Sequence, residues 1–267
     1  MRNVFGGLRN LFGPLSLLVS VLVPAYFAGA AIGSRYGLWD WRFALGTLTI
    51  KYGPMILMGA AGLGVFALIV ALLAQPAGGR IAALIAILIP SAGLYYANQI
   101  KIAQAHIPPI HDISTDWKDP PQFSDATMQL RGSDANPIEH PWTVFPKSEK
   151  YRELEGKSYE DVQKWAYPDV VPIVVDSAAD IAYSKALDAA HKIGLAITIA
   201  NAGHGQIEGV ATSFWYAFKD DVAIRVRAKD GGGAIVDLRS VSRVGVSDLG
   251  ANAARIRAFR TALTAVK

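Results

Sequence analysis

A proline-rich segment near the middle of the chain carries the residues best suited to acid–base or metal chemistry. His111, Asp112, Asp116 and Asp119 stand close together between two proline pairs. A histidine and carboxylates grouped in this way could exchange protons with a substrate or bind a hard cation. Aspartate near proline also forms turns through hydrogen bonds from side chain to backbone, and the spacing matches no metal-binding motif. We therefore favour a structural role and keep these four residues as weak catalytic candidates.

Four arginines form a second candidate group, suited to binding an anion. They occupy alternate positions of two predicted neighbouring strands, so their side chains should share one face of a sheet. The group comprises Arg225, Arg227, Arg239 and Arg243. A predicted helix begins nearby at Ser247 and Asp248, and a helix N-terminus attracts negative charge, so these two residues complete the predicted ligand-binding site. Pairing of the arginines with Asp237 and with carboxylates of the proline-rich segment is the competing interpretation, which we favour.

Other catalytic arrangements find less support. Ser242, Ser247 and Asp248 with His111 could compose a hydrolase triad, but the sequence has no Gly-x-Ser-x-Gly elbow. The absence of cysteine excludes thiolate nucleophiles and cysteine-based metal sites. The remaining histidines stand singly, without ligand spacing, and are expected to be solvated: His106, His140, His191 and His204. We predict no metal and no cofactor.

The distribution of charged residues divides the chain into two regions, one suited to lipid and one suited to water. Before His106 the only carboxylate is Asp40, whereas the other acidic residues follow His106. Long uncharged stretches in the first region reach the roughly 20 apolar residues that a helix needs to cross a bilayer. We predict transmembrane helices over about 11–33, 54–75 and 81–100, within a membrane region 1–105. A soluble domain is predicted for residues 106–267.

The first apolar stretch could instead be a cleaved secretory signal, because Arg2 and Arg9 precede it and Ala28-Gly29-Ala30 resembles a cleavage site. Its length favours an uncleaved anchor. Lys and Arg are nearly balanced between the two sides, so charge does not decide the orientation. An odd number of spans places the N-terminus and the soluble domain on opposite sides. We expect a cytoplasmic N-terminus and a periplasmic domain.

The net charge of +4 is small and dispersed. No run of Lys and Arg is long enough to indicate a nucleic-acid surface, so we predict no nucleic-acid partner. Basic residues beside a bilayer and on an ordinary protein surface account for the excess.

Patterns in the soluble region predict an α+β domain. The segment from His106 to about Pro146 should lack regular structure because of its prolines. A short helix follows Ser158, then a strand over Val170–Val175, a helix from Ser177 to Gly194, and two hairpins. The first hairpin includes a strand over Ile207–Phe218. The last helix, starting at Ser247, should bury one row of side chains: Leu249, Ala253, Ile256, Phe259, Leu263 and Val266. This order predicts an antiparallel sheet with helices packed on one face.

Two motifs resemble a known family. One is Ile110-His111-Asp112-Ile113-Ser114-Thr115-Asp116 with Asp119-Pro120-Pro121, and the other is the run Val236–Gly245 followed by Ser247–Asn252. Together they resemble the family catalogued as domain of unknown function 1499, over roughly Ile107 to Val266. The resemblance implies a bacterial envelope protein with relatives in photosynthetic organelles. It implies no activity, and the preceding spans would mark a membrane-bound form.

We expect a non-enzymatic accessory module in the bacterial inner membrane that presents its soluble domain to a membrane protein partner. Binding of an anionic lipid or envelope component by the arginine face is the first alternative. A hydrolase-type enzyme that uses His111 and Asp112 is the second.

Overall fold

The computed structural model describes residues 2–105, 107–145 and 151–265. Predictions made for His106, Pro146 and Val266 lie outside these ranges. The chain divides into two compact units. The first consists of Met1–Ala103 and Phe214–Ala217, and the second of Gln104–Ser213 and Phe218–Lys267.

Long apolar helices build the first unit. Helix α1 spans Arg2–Arg35, a π-helical segment over Arg42–Tyr52 runs directly into α2 (Gly53–Leu73), and α3 spans Arg80–Gln104. Within the described residues, three helical stretches are long and apolar enough to cross a membrane: Val4–Arg35, Arg42–Leu73 and Arg80–Gln104. The three predicted apolar helices are therefore confirmed. The second stretch begins earlier than predicted, because the backbone stays helical through Lys51.

Small side chains bring these helices close together. A Cβ on Gly64 would lie 3.0 Å from the backbone carbon of Ala86, so any larger residue there would push α2 and α3 apart. Ser20 Oγ donates a hydrogen bond of 2.6 Å to the Ala86 carbonyl, which ties α1 to the same point.

The second unit is built on an antiparallel sheet, six-stranded in the described residues. Its strands are β1 (Asp112–Ser114), β2 (Ile173–Val175), β3 (Ala196–Asn201), β4 (Gln206–Thr212), β5 (Lys219–Ala228) and β6 (Ala234–Ser242). Their order is β1-β6-β5-β4-β3, and β2 also pairs with β6. Helices α6 (Ala179–Lys192) and α7 (Ala251–Ala265) pack against it. The predicted α+β class and antiparallel sheet are confirmed.

Alternation along the long hairpin sorts its side chains onto two faces. Val222, Ile224 and Leu238 are almost fully buried and share a core with Ala186 of α6 and Phe259 of α7. We call this side of the sheet the apolar face. The intervening positions include the charged residues Asp221, Arg225, Arg227, Asp237 and Arg239, and we call that side the polar face.

Residues 107–145, which we call the strap, depart from the prediction. They were expected to lack regular structure, yet they contain β1 and the helix α4 (Asp125–Arg131). Strand β1 forms because Asp112, Ile113 and Ser114 pair in antiparallel register with β6. Helix α4 is capped by Ser124, whose side chain accepts a hydrogen bond from the Thr127 amide.

Short helices and turns follow their local signals closely. Ser158 caps α5 (Tyr159–Ala166) by accepting a hydrogen bond from the Asp161 amide at 3.1 Å, as predicted. Helix α6 ends before Gly194, whose positive φ of 81° suits glycine. Strand β4 stops at Thr212, short of the predicted Phe218.

The last helix was predicted to begin at Ser247 and to bury Leu249, which is wrong. Leu249 has a φ of +54° and is half exposed, because the backbone turns there before α7 begins at Ala251. Ala253, Ile256, Phe259 and Leu263 are buried as predicted.

Candidate functional site

Arginines of the polar face meet carboxylates from both the sheet and the strap. Arg225 and Arg227 both contact Asp237 Oδ2, at 3.2 and 2.7 Å. Both also reach Asp119 of the strap, at 3.0 and 3.3 Å. Arg227 lies 3.7 Å from Asp116 as well. Four of the predicted residues on the strap and strands, Asp116, Asp119, Arg225 and Arg227, therefore form one ion-pair network with Asp237.

Arg239 is the most deeply buried of these arginines, with 1% of its surface exposed. Its Nε and Nη2 donate to the two carboxylate oxygens of Asp112 at 3.0 and 2.7 Å. This bidentate geometry fits a planar guanidinium to a carboxylate. The guanidinium also lies 5.5 Å from the centre of the Trp117 ring. Asp112 therefore forms a buried ion pair with Arg239 where β1 pairs with β6.

Asp221 also pairs with two arginines, the buried Arg131 and the partly buried Arg243. Its carboxylate accepts from Arg131 Nη1 at 2.6 Å and from Arg243 Nε and Nη2 at 2.9 and 2.7 Å. Burial lowers the pKa of Arg131, and the adjacent Asp221 opposes that shift. The strap helix α4 is fastened to the sheet through this contact, since Arg131 is its last residue.

Glu208 of β4 is a further buried carboxylate on this side. It accepts hydrogen bonds from the Ser124 amide at 2.8 Å, from Ser124 Oγ at 2.9 Å and from Gln206 Nε2 at 2.6 Å. Thr127 Oγ1 donates a fourth bond. Neutral donors therefore satisfy this carboxylate, and three of the four bonds come from Ser124 and Thr127 at the start of α4.

His111 lies apart from the arginines, among aromatic and acidic side chains. Its Nδ1 is 3.3 Å from the Tyr159 hydroxyl, and its Nε2 is 3.6 Å from Glu139 Oε1. Burial raises the pKa of Tyr159, and the nearby Glu139 raises it further. This histidine is buried, and its ring contacts lie within the protein.

The serines proposed for a hydrolase triad have other partners. Ser242 Oγ accepts from Asn252 Nδ2 at 3.0 Å, and Ser247 Oγ donates to the Pro108 carbonyl at 3.2 Å. Asp248 accepts from the Gly250 and Asn252 amides, both at 2.8 Å, at the start of α7. Within the described residues, no hydrogen bond joins the His111 ring to either serine.

Ser247 and Asp248 do not join the arginines either. Asn252 of α7 contacts Ser240 and Ser242, which alternate with Arg239 and with Arg243, the residue directly after β6. The start of α7 therefore lies on the opposite face of the sheet from the arginines. Burial raises the pKa of Asp248, although its two backbone hydrogen bonds act in the other direction.

A comparison with protein families matches residues 112–263 to a family described as a protein of unknown function, DUF1499. The chain belongs to the DUF1499 family. The match begins at Asp112, the partner of Arg239, and ends in α7, so it covers the sheet, most of the strap and the helices of the second unit. A search of curated proteins found no match.

The surface of the DUF1499 domain carries a groove beside the strap. Two adjoining cavities, of about 360 and 210 Å³, share Lys118, Pro141 and Trp142 in their walls. We call the pair the Trp142 groove. Trp142 is 71% exposed and stacks on His140 with ring centroids 4.8 Å apart. Arg239 forms part of the inner wall of the smaller cavity.

Carboxylates outnumber free cations in the Trp142 groove. Its acidic residues are Asp119, Glu139, Glu160 and Asp161. Of its two basic residues, Arg239 is already paired with Asp112, which leaves Lys118. Of its carboxylates, Asp119 is paired with Arg225 and Arg227 and Glu160 with Lys164, which leaves Glu139 and Asp161. The described residues contain no group of three or more His, Asp or Glu side chains placed to hold a metal ion.

Several residues of this arrangement were not among the candidates from the sequence. Glu208, Asp221 and Arg131 were missed because each lies alone in its motif and meets its partners only through the fold. Trp142 carried a weak signal, as a large aromatic residue within a polar, proline-rich segment. No local pattern indicated that it would be exposed.

Proposed function

We propose that this protein is a membrane-anchored, non-enzymatic interaction module of the DUF1499 family that presents its domain to another membrane protein. The observation that carries this proposal is that the charged residues suited to chemistry are paired with one another, while the Trp142 groove remains open. Asp112, Asp221 and Asp237 all have fully buried side chains that contact arginines. An exposed tryptophan beside polar groups is typical of a protein interface.

The lining of the groove also indicates what the partner presents. With carboxylates in excess over cations, it should attract a segment that carries Lys or Arg. Pro141 and Trp142 offer an apolar surface to an extended or proline-containing chain. We therefore expect a basic, extended segment of a partner in the same membrane.

Co-purification with matched tryptophan variants tests the proposal. The full-length protein is extracted from its native membrane in mild detergent, and proteins present in stoichiometric amount are identified by mass spectrometry. Trp142→Ala should abolish the association with the partner. Trp165→Ala is the control, because Trp165 is similarly exposed, at 68%, but does not line the groove. Equal recovery of the partner with both variants would contradict an interaction through this groove.

A second candidate function is binding of an anionic lipid or envelope component at the polar face. It draws support from Arg227, whose side chain is 39% exposed. In addition, the buried Nε atoms of Arg225 and Arg227 have no hydrogen-bond partner among the described residues. Arg227→Gln should then weaken binding of the reconstituted protein to a soluble anionic headgroup. Unchanged binding in a folded variant would remove this candidate.

We further propose the bacterial inner membrane as the location, with the domain in the periplasm. Protease added to spheroplasts should then digest the domain while cytoplasmic proteins stay intact. Protection of the domain until the membrane is lysed would place it in the cytoplasm.

A further inference from the structure

The turn between β4 and β5 carries a row of exposed aromatic residues. Phe214 is 70% exposed and Trp215 is 52% exposed, and their ring centroids lie 5.1 Å apart in an edge-on arrangement. Phe214–Ala217, which we call the aromatic loop, contains no charged residue. Exposed neighbouring aromatic side chains are costly in water and commonly mark a contact surface.

The loop has a defined shape. The Ser213 amide donates to the Phe218 carbonyl at 2.8 Å, and the Phe218 amide donates to Ser213 Oγ at 2.9 Å. Ala217 lies in the left-handed region, with a φ of +54°. Because these bonds close the turn at its base, the aromatic side chains project from a fixed backbone.

Contacts of the aromatic loop place it with the membrane-spanning unit, to which its residues belong. Arg35 Nη1 donates to the Phe214 carbonyl at 2.7 Å, and its guanidinium lies 5.7 Å from the centre of the Phe214 ring. The Tyr216 hydroxyl is 2.8 Å from Thr49 Oγ1. Arg35 is the last residue of the first apolar stretch, Val4–Arg35. The end of a membrane helix lies at the level of the lipid headgroups.

We propose that the aromatic loop inserts into the lipid headgroup layer and acts as a second membrane contact of this protein. Tryptophan and tyrosine are enriched at this depth because their rings are apolar while their N–H and O–H groups remain hydrogen-bonded. Arginine beside them suits the same layer, since its guanidinium can reach lipid phosphate. This inference rests on different residues from the Trp142 groove, so either can fail without the other.

Because the sequence contains no cysteine, a single introduced cysteine can be labelled specifically. Trp215→Cys and Asp230→Cys are each labelled with an environment-sensitive fluorophore and reconstituted as full-length protein into vesicles. Asp230 is exposed in the turn between β5 and β6. That turn lies at the other end of β5, about 30 Å away for a strand of ten residues. The two labels therefore compare opposite ends of the same strand.

Quenchers confined to the lipid and to the water then report the depth of each label. We expect a lipid-borne quencher to reduce the emission at position 215 at least threefold more than at position 230, and iodide to show the reverse order. Equal accessibility of both labels to iodide would overturn the proposal. Protection of position 215 from iodide without lipid quenching would also overturn it, because the loop would then be covered by protein.

A conservative variant guards against effects of the label. Trp215→Phe keeps an aromatic ring and should fold normally. Brominated lipids quench the fluorescence of tryptophan residues that lie in the bilayer. In unlabelled protein, the quenched part of the tryptophan emission should be smaller for Trp215→Phe than for the wild type, and unchanged for the control Trp142→Phe. Identical quenching of the wild type and Trp215→Phe would contradict insertion of the loop.

Discussion

The two faces of the DUF1499 sheet are stabilised in different ways. On the apolar face, Ile224 and Leu238 pack against α6 and α7 with almost no exposed surface. On the polar face, Asp221 and Asp237 are equally buried but are held by arginines. The stabilisation from apolar burial depends on buried area and shape, so the stability lost on substitution increases with the number of buried atoms removed. Buried charge depends on pairing, so removal of one partner leaves an uncompensated charge.

This difference explains why charged residues in a conspicuous motif need not be a reactive site. Asp112 is one of the first candidates for acid–base chemistry, yet its carboxylate is occupied by Arg239. On this account, the polar face fastens the strap to the sheet, and the strap in turn shapes the Trp142 groove.

Of the variants considered, removal of the Asp221 carboxylate from the polar face should lower stability the most. Asp221→Ala leaves Arg131 and Arg243 without their carboxylate, and it should lower the free energy of unfolding by about 3–5 kcal/mol. Chemical denaturation of the full-length protein in detergent, followed by tryptophan fluorescence, measures the change. Asp180→Ala, at an exposed position of α6, is the control and should change little.

A triple variant sharpens this prediction. Replacing Arg131, Asp221 and Arg243 together by Met, Leu and Met removes the charges rather than unpairing them. Such exchanges are often neutral or stabilising. Stability of the triple variant above that of Asp221→Ala would support the pairing account, and a larger loss would contradict it.

An intermediate effect is expected on the apolar face. Ile256 of α7 is 1% exposed, so Ile256→Val should cost about 0.5–1.5 kcal/mol through the loss of one buried methylene. The same denaturation experiment measures it. A loss as large as that of Asp221→Ala would remove the proposed distinction between the two faces.

The smallest effect concerns pH, at the start of α7. Because burial raises the pKa of Asp248 in the folded protein, its contribution favours folding at low pH and is lost as the pH rises through that pKa. Asp248→Asn keeps an acceptor without the charge. Its stability relative to the wild type should therefore rise, by about 1 kcal/mol or less, between pH 4 and pH 8.

Asp169→Asn is the matched variant, for which the pH dependence of stability should have the opposite sign. A hydrogen bond from Arg257 lowers the pKa of Asp169, so its contribution is present at neutral pH and is lost as the pH falls through the lowered pKa. The pair is almost half exposed, so the effect of Asp169→Asn should be about 0–1 kcal/mol. Parallel pH profiles for the two Asn variants would contradict the assigned causes.

Local patterns predicted the elements whose signals lie within a few residues. The alternation of Ile224 and Val226 with Arg225 and Arg227 indicated β5, and Ser158 indicated the start of α5. Strand β1 was missed because three residues carry no periodic signal and are paired by a strand more than 120 residues away. Leu249 was placed in α7 because its spacing from Ala253 fits a helix, whereas the backbone turns first.

The candidate site was only partly accessible from sequence. Because side chains alternate along a strand, the sequence predicted Arg225, Arg227, Arg239 and Arg243 on one face of the sheet. It also favoured their pairing with Asp237 and with carboxylates of the strap. The partner of each arginine depends on strand register and on the path of the strap, which are tertiary properties. Asp221 and Glu208 were missed for this reason.

Photo-crosslinking in intact cells tests whether this domain acts through a protein bound at the Trp142 groove. A photoreactive amino acid is placed at position 142 and, as the control, at position 165. We expect one crosslinked protein, of the same mass in each preparation, at position 142 and none at position 165. Crosslinking of position 142 to lipid alone, or the same products from both positions, would contradict it.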